Sequence, residues 1–296
     1  MRISVPNQHM QERLADLDVI VWDWDAPPPD GPPLDLAVRP YVLSGGFEHL
    51  DAERVRVVQT QSLGYDDAIG NVPEGIVWCN AVGVHEGPTA EIAMALVLAS
   101  QRGVDENARA MPDGRWERHW HPGLLGARVL LLGYGGIGTE LESRLSGFGV
   151  EIVRVARTAR EGIHGTDELP DLLPDADVVV VAVPYGPATH HLVDDVFLSA
   201  MRDGALLVNV ARGKVADTEA IVRHTASGHV RFAADVLDPE PLPADHPLWT
   251  TPGVLITPHV GGAVTTMHDR VEAMVREQVR RLQVGEPLMN VVDVSG

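Results

Sequence analysis

The chain is built from short apolar runs that alternate with segments whose apolar residues recur at the spacing of one helix face. Short, wholly apolar runs are typical of parallel strands covered on both faces, and the alternation is typical of α/β folds. The predicted strands cover residues 3–5, 19–22, 55–59, 76–78, 129–132, 152–156, 178–183, 205–211, 232–236 and 254–257. The predicted helices cover residues 10–17, 47–53, 92–100, 193–201 and 218–225, with further helices after residues 138 and 266.

A glycine-rich turn lies between the predicted strands at 129–132 and 152–156, where Gly133, Gly135 and Gly138 have the spacing G-x-G-x-x-G. The first glycine permits a tight turn, the second lets a phosphate approach the backbone, and the third lets the next helix pack closely on the sheet. The helix N-terminus offers unpaired N–H groups and a partial positive charge. The order strand, glycine turn, helix, strand therefore predicts a Rossmann-type dinucleotide-binding unit.

The pattern predicts an α/β fold of two domains. A doubly wound parallel sheet that binds NAD(P) is expected over residues 93–269. A smaller, flavodoxin-like α/β domain for the substrate is expected from both chain ends, residues 1–92 and 270–296. The last helix is expected to return and pack on the first domain. It opens with the capping-box pattern of Thr266 and Asp269, and it carries an apolar stripe formed by Val271, Met274, Val275, Val279 and Leu282.

Composition narrows the class of protein. A chain of 296 residues with 45% hydrophobic and 22% charged residues is typical of a soluble globular protein with two cores. The net charge of −19 argues against nucleic acid and anionic membranes as partners, but not against a small anionic substrate. Cys79 is the single cysteine, and residues 1–10 have no signal-peptide pattern. We therefore expect a cytoplasmic protein, and we predict no metal site.

Polar residues follow three predicted strands of the dinucleotide-binding domain. Arg212, Asp235 and His259 each stand at or beside a strand end, and Glu240 lies in the loop after Asp235. Ligands bind beyond the carboxyl ends of strands in open parallel sheets. Taken singly, each residue is also compatible with a surface or turn-capping role. The coincidence of all four behind one dinucleotide site favours a functional site.

These segments resemble the D-isomer-specific 2-hydroxyacid dehydrogenase family. Asn209-Val-Ala-Arg212-Gly213 resembles its arginine motif, Asp235-Val-Leu-Asp-Pro-Glu240-Pro241 its acidic motif, and Thr257-Pro-His259-Val-Gly261-Gly262 its histidine motif. They follow the glycine loop in the family's order. The likeness covers nearly the whole chain, including Ser62-Leu-Gly-Tyr-Asp66 and the helix start at Thr89-Ala-Glu91.

The resemblance implies a role for each residue. His259 would give a proton to the oxygen of a 2-keto acid as hydride reaches the carbon, and Glu240 would orient the imidazole and favour its charged form. Arg212 would bind the substrate carboxylate through its planar guanidinium. Backbone N–H groups of Leu63 and Gly64 would hold the other side of that carboxylate. The expected cofactor contacts are Gly133, Gly135, Gly136, Ile137, Gly138, Arg157, Thr158, Arg160, Pro184, Val210, Ala211, Asp235, Gly261 and Gly262, with Asp235 at the nicotinamide amide.

One departure from the NAD-binding pattern indicates the cofactor. NAD enzymes of this design usually place an acid at the end of the second strand, where it accepts from the ribose 2′-hydroxyl. This chain has Arg157-Thr-Ala-Arg160 there. Arginine binds a 2′-phosphate, whereas a carboxylate repels it. We therefore predict NADPH in preference to NADH, and a reductase direction, although NAD use stays open if Arg157 points into solvent.

Several substrates fit this family. Reduction of glyoxylate or hydroxypyruvate is the first expectation, because enzymes of this type combine a preference for NADPH with a short two-domain chain. Phosphoglycerate oxidation is less favoured, since the chain ends at Gly296 without a further regulatory domain. Formate-type chemistry needs no proton relay, so Glu240 disfavours it. A nucleotide-sensing corepressor scaffold is the alternative of another class. The resemblance also implies a homodimer formed through the cofactor domain.

Overall fold

The computed structural model describes residues 1–41 and 45–295. The chain divides into two compact units: Met1–His85 with Thr265–Gly296 form the first, and Glu86–Val264 form the second. Residues 42–44 and Gly296, which the predicted domain ranges include, lie outside the described residues. The predicted α/β class with parallel sheets is confirmed.

The helices and strands follow in chain order. The strands are β1 (Ile3–Val5), β2 (Val19–Val21), β3 (Leu36–Val38), β4 (Val57–Gln59), β5 (Val77–Cys79), β6 (Arg128–Leu132), β7 (Glu151–Ala156), β8 (His164–Gly165), β9 (Val178–Val181), β10 (Leu206–Asn209), β11 (Arg231–Ala234), β12 (Val254–Ile256) and β13 (Val291–Val292). The α-helices are α1 (Gln8–Arg13), α2 (Glu86–Arg102), α3 (Val104–Ala110), α4 (Gly136–Leu145), α5 (Leu169–Leu172), α6 (Asp195–Ala200), α7 (Thr218–Ala226) and α8 (Met267–Val284).

The first unit is built on a six-stranded sheet of order β13-β5-β4-β3-β1-β2, in which β13 pairs antiparallel with β5. Its core includes Trp24 and Trp78, each 1% exposed. Helix α8 is tied to this sheet by a buried hydrogen bond of 2.8 Å from Gln278 Nε2 to Gln59 Oε1. The C-terminal helix and strand therefore complete the unit that the N-terminal strands begin.

Three details of the first unit differ from the sequence prediction. Strands β3 and β13 were not predicted, because each is too short to show a period. The predicted helix at 47–53 is only a 3₁₀ turn, Phe47–His49. The predicted capping box is wrong, since Thr266 has helical backbone angles and makes no side-chain cap, while Asp269 pairs with Arg13. A contact remote in sequence thus outweighs the local capping pattern.

The second unit is a seven-stranded parallel sheet of order β12-β11-β10-β9-β6-β7-β8. Its middle strands β6, β9 and β10 are almost wholly buried because helices cover both faces. Helices α2 and α4 contribute to the core on one face, and α6 and α7 to that on the other. The chain order reverses between β6 and β9, which makes the carboxyl ends of these two strands the expected place for a ligand.

Within the described ranges, 1–41 and 45–295, no helix combines the length and the apolar character needed to cross a membrane.

Candidate active site

The glycine loop after β6 has the geometry that the sequence predicted. Gly133 has a φ of +107°, and a Cβ on it would meet the backbone oxygen of Ala182 at 2.5 Å. A Cβ on Gly138 would meet Gly133 O at 2.5 Å, so helix α4 can approach the strand only with glycine there. At Gly135, by contrast, no atom of the described residues outside its chain neighbours lies within 4 Å of the Cβ position. The loop is closed against the protein and open on its outer side.

The N-terminus of helix α4 faces this open side. The first bond of the helical ladder runs from Thr139 N to Gly135 O at 2.9 Å, so the N–H groups of Gly136, Ile137 and Gly138 precede the ladder. The N-cap residue, Gly135, has no side chain that could cap this end. N–H groups gathered at a positive helix end fit the pyrophosphate of a dinucleotide.

The residues that follow β7 are exposed arginines. Arg157, Thr158 and Arg160 all lie at the surface just beyond Ala156. Arg160 Nη2 donates to Tyr134 O, inside the glycine loop, at 3.4 Å. This strand end is therefore cationic and is linked to the phosphate loop.

His259 and Glu240 form a hydrogen-bonded pair. His259 Nδ1 donates to Glu240 Oε2 at 2.9 Å, and the side chains are 50% and 38% exposed. The backbone N–H of Leu237 donates to the other oxygen, Glu240 Oε1, at 2.8 Å. One ring nitrogen is thus held by the acid, and the half-exposed ring leaves Nε2 for a ligand.

The pair shifts the pKa of both groups. The hydrogen bond to Glu240 raises the pKa of His259 above its ordinary value, and partial burial and the charge of Arg212 oppose this shift. Burial raises the pKa of Glu240, but the hydrogen bonds from His259 and Leu237 outweigh burial, so that this pKa lies below its ordinary value. The charge of Arg212 lowers the pKa of both groups.

Asp235 organises the histidine turn. Asp235 is 3% exposed, and its carboxylate accepts from Val260 N at 2.9 Å, from Gly261 N at 2.8 Å and from Thr257 Oγ1 at 2.6 Å. His259 N donates to the backbone oxygen of Asp235 at 2.8 Å, and His259 itself has a φ of +53°. Sequence reasoning gave Asp235 a cofactor contact. This network was missed because it depends on the pairing of β11 with β12.

Arg212 is placed by a side chain that the sequence did not single out. Asn209 Oδ1 accepts from Ala211 N at 3.0 Å, and Asn209 Nδ2 donates to Arg212 O at 3.1 Å. The turn then passes so close to Leu237 that a Cβ on Gly213 would lie 1.8 Å from Leu237 O. The arginine motif already contained Asn209 and Gly213 on either side of Arg212. The structure explains Asn209 by its hydrogen bonds to the turn and Gly213 by its closeness to Leu237.

The remaining predicted cofactor contacts lie at the same edge of the sheet. Pro184 follows β9, and Val210 and Ala211 follow β10 and are nearly buried. Gly261 and Gly262 are buried beside Asp235, and a Cβ on Gly261 would lie 3.0 Å from Asp235 Oδ2. The carboxyl edge thus holds these five residues together with Arg212, Asp235 and His259.

Leu63 and Gly64 belong to the first unit, in the loop after β4. Asn80 Nδ2 donates to Leu63 O, and Ser62 Oγ donates to Gly64 O, both at 2.9 Å. Thr60 Oγ1 donates to Ser62 O at 2.9 Å. The loop is thus fixed through its carbonyl groups, while the N–H groups of Leu63 and Gly64 are the groups that the resemblance assigns to the substrate.

The fold and this edge of the second unit define a dinucleotide-dependent oxidoreductase. Residues 94–261 match the family described as D-isomer specific 2-hydroxyacid dehydrogenase, NAD binding domain. The chain is 32% identical to a glyoxylate reductase of Korarchaeum cryptofilum (strain OPF8), over 82% of this chain and 77% of that protein. A glyoxylate reductase of Aeropyrum pernix is also 32% identical, over 99% and 96% of the two chains.

A solved D-isomer specific 2-hydroxyacid dehydrogenase from Xanthobacter autotrophicus Py2, in complex with NADPH and MES, superposes with a TM-score of 0.81. It is 27% identical, and the match covers 99% of this chain and 98% of that one. The chain belongs to the D-isomer specific 2-hydroxyacid dehydrogenase family, as the three motifs indicated. It is an NAD(P)-dependent enzyme that acts on the CH–OH group of 2-hydroxy acids. Among the described residues, no cluster of His, Cys, Asp and Glu is arranged to hold a metal ion.

Proposed function

We propose that the protein reduces a small 2-keto acid of the glyoxylate or hydroxypyruvate type to the D-2-hydroxy acid with NADPH. The hydrogen bond of 2.9 Å between His259 and Glu240 is the observation that carries this proposal. Reduction of a ketone needs a proton donor at the carbonyl oxygen, and an acid-supported imidazole is suited to that task near neutral pH. The glyoxylate reductases among the relatives support the substrate class.

In the proposed reaction, His259 Nε2 gives a proton to the substrate oxygen while Glu240 stabilises the charged ring from Nδ1. Arg212 binds the substrate carboxylate, and the N–H groups of Leu63 and Gly64 bind it as well. A bound NADPH supplies the hydride to the keto carbon. The hydroxyl that forms keeps the proton, and the neutral imidazole is recharged from solvent.

The preference for NADPH rests on the cationic end of β7. Arg157, Thr158 and Arg160 are exposed there, in the place where an NAD enzyme usually has an acid. Arg160 already donates to the phosphate loop through Tyr134 O, so it is held near the cofactor. Asp235 is assigned to the nicotinamide amide in addition to its bonds to the histidine turn, because each carboxylate oxygen accepts more than one hydrogen bond.

The decisive experiment compares NADPH and NADH oxidation with glyoxylate, hydroxypyruvate and other 2-keto acids. We expect a KM for NADPH at least about tenfold below that for NADH, since one ion pair with the 2′-phosphate provides roughly that factor. Replacing Arg157 and Arg160 by Ala should remove the difference and leave the KM for NADH in place. A clear preference of the wild-type protein for NADH would refute the cofactor assignment, and absence of turnover on every acid would favour a nucleotide-sensing scaffold.

We also propose a cytoplasmic homodimer. The segment that joins α2 to β6 exposes several large apolar side chains: Val104, Met111, Trp116, Trp120 and Leu125. The two tryptophans are 95% and 98% exposed. Such a run of exposed apolar residues is typical of a protein–protein interface, and a second copy of the chain is the partner that the family resemblance implies.

A further inference from the structure

The first turn of helix α2 lies against the glycine loop. A Cβ built on Gly136 would meet Glu86 Cγ at 2.7 Å and would lie 3.4 Å from Glu86 Oε1. Glu86 is the first residue of α2, so its stem fills the space that a side chain at position 136 would need. The G-x-G-x-x-G pattern leaves this position unrestricted. The structure explains the additional glycine by the glutamate that packs on it.

The same helix also reaches the histidine turn. A Cβ on Gly261 would lie 3.4 Å from Ile92 Cγ2 and 3.6 Å from Thr89 Oγ1. The start of α2 is therefore in contact with both the phosphate loop and the turn that carries His259.

The Glu86 carboxylate stands where the positive end of α4 attracts an anion. Oε1 is close to Gly136, whose N–H is one of the groups that precede the helical ladder. The cofactor's pyrophosphate needs the same N–H groups and is itself negatively charged. The two anions repel each other at short range, where water screens poorly.

We propose that Glu86 competes with the cofactor's pyrophosphate for the N-terminus of α4, and so weakens cofactor binding and promotes cofactor release. The carboxylate neutralises the helix end while the site is empty, and it must turn aside when the pyrophosphate enters. Product release limits turnover in many enzymes, so a competitor built into the cofactor site favours turnover over affinity. This inference rests on the cofactor site of the proposed function, but not on the choice between NADPH and NADH, since both carry the pyrophosphate.

The charge is tested by Glu86→Gln, which keeps the shape of the side chain. We expect the Kd for NADPH, measured by fluorescence titration at low ionic strength, to fall about threefold to tenfold. The ratio of the wild-type Kd to the Kd of the variant should fall towards one at high salt, because the repulsion is electrostatic. Glu219→Gln is the matched control, since Glu219 is an exposed acid in the first turn of another helix of the same unit, α7. The Kd of the Glu219→Gln variant for NADPH should equal that of the wild-type protein.

The packing is tested by Gly136→Ala in two backgrounds. In the wild-type chain the new methyl meets Glu86, so the Kd for NADPH should rise; with Glu86→Ala as the second change, most of that rise should vanish. An equal rise in both backgrounds, or an unchanged or higher Kd for Glu86→Gln, would overturn the inference. Repeating the titrations with NADH separates the two proposals: a preference for NADH refutes the cofactor choice, whereas the effect of Glu86→Gln should be the same with either cofactor.

Discussion

At the scale of single residues, the site pairs His259, the proposed general acid, with Glu240, which shifts the pKa of the imidazole. Glu240 accepts from His259 and from Leu237 N, so its position is fixed by backbone as well as by the ring. The resulting pKa shifts have opposite directions, upward for His259 and downward for Glu240. Both shifts favour the charged pair, which is the form that the proposed reduction requires.

The pH dependence of reduction follows from the raised pKa of His259. The rate constant kcat/KM should be constant at lower pH and should fall as the pH rises through that pKa, because the neutral ring has no proton to give. Glu240→Gln removes the charge that raises the pKa, so the fall should begin at lower pH. His259→Ala should lower kcat by about 10²- to 10⁴-fold while the Kd for NADPH stays unchanged. Unchanged turnover in His259→Ala would rule out the assignment.

The pair also contributes to stability within a limited pH window. The contribution of His259 is complete below its ordinary pKa and is lost as the pH rises through the raised value. That of Glu240 is complete above its ordinary pKa and is lost as the pH falls through the lowered value. The pair therefore stabilises the fold most between the two ordinary values, and both side chains are exposed enough to keep the contribution small.

At the scale of elements, the site depends on how neighbouring strands end. Asp235 directly follows β11, and its carboxylate accepts hydrogen bonds from N–H groups of the turn that follows β12. Motif spacing was enough to predict the strand and the loop. The hydrogen bonds between strand ends could not be predicted, because they depend on which strands are neighbours in the sheet. The order of the strands along the chain does not determine that.

Asp235→Asn tests whether this residue holds the turn. An amide nitrogen cannot accept a hydrogen bond, so at least one buried N–H group of the turn loses its partner, and the free energy of unfolding should fall by about 1–3 kcal/mol. The midpoint of denaturant unfolding measures this change. Thr257→Val, which removes only the donor hydroxyl, should lower the free energy of unfolding by a smaller amount. Wild-type stability in Asp235→Asn combined with weaker cofactor binding would indicate that Asp235 contacts only the cofactor.

At the scale of the whole molecule, prediction was strongest where a pattern repeats and weakest where contacts are remote in sequence. The second unit follows from apolar runs and one glycine loop, and each of its longer strands was predicted within a few residues. The first unit is joined through Gln59 and Gln278, and through Arg13 and Asp269, which are far apart in the chain. No local pattern encodes such pairs. This is why the ion pair found in place of the expected capping box of α8 was not predicted, although the helix start was.

The exposed segment before β6 gives the prediction that concerns the assembled protein. Burying Trp116 and Trp120 against a second copy would remove two large apolar side chains from water, each worth about 1.5–3 kcal/mol if fully covered. We therefore expect a dimer in sedimentation velocity, and replacing both tryptophans by Ser should shift the protein to monomer at micromolar concentration. Val196→Ser is the control, since Val196 is 76% exposed but lies on α6, outside the segment. A wild-type monomer would disprove the assembly. A dimer unaffected by the double change would place the interface elsewhere, because the loss of two aromatic anchors exceeds what a typical interface tolerates.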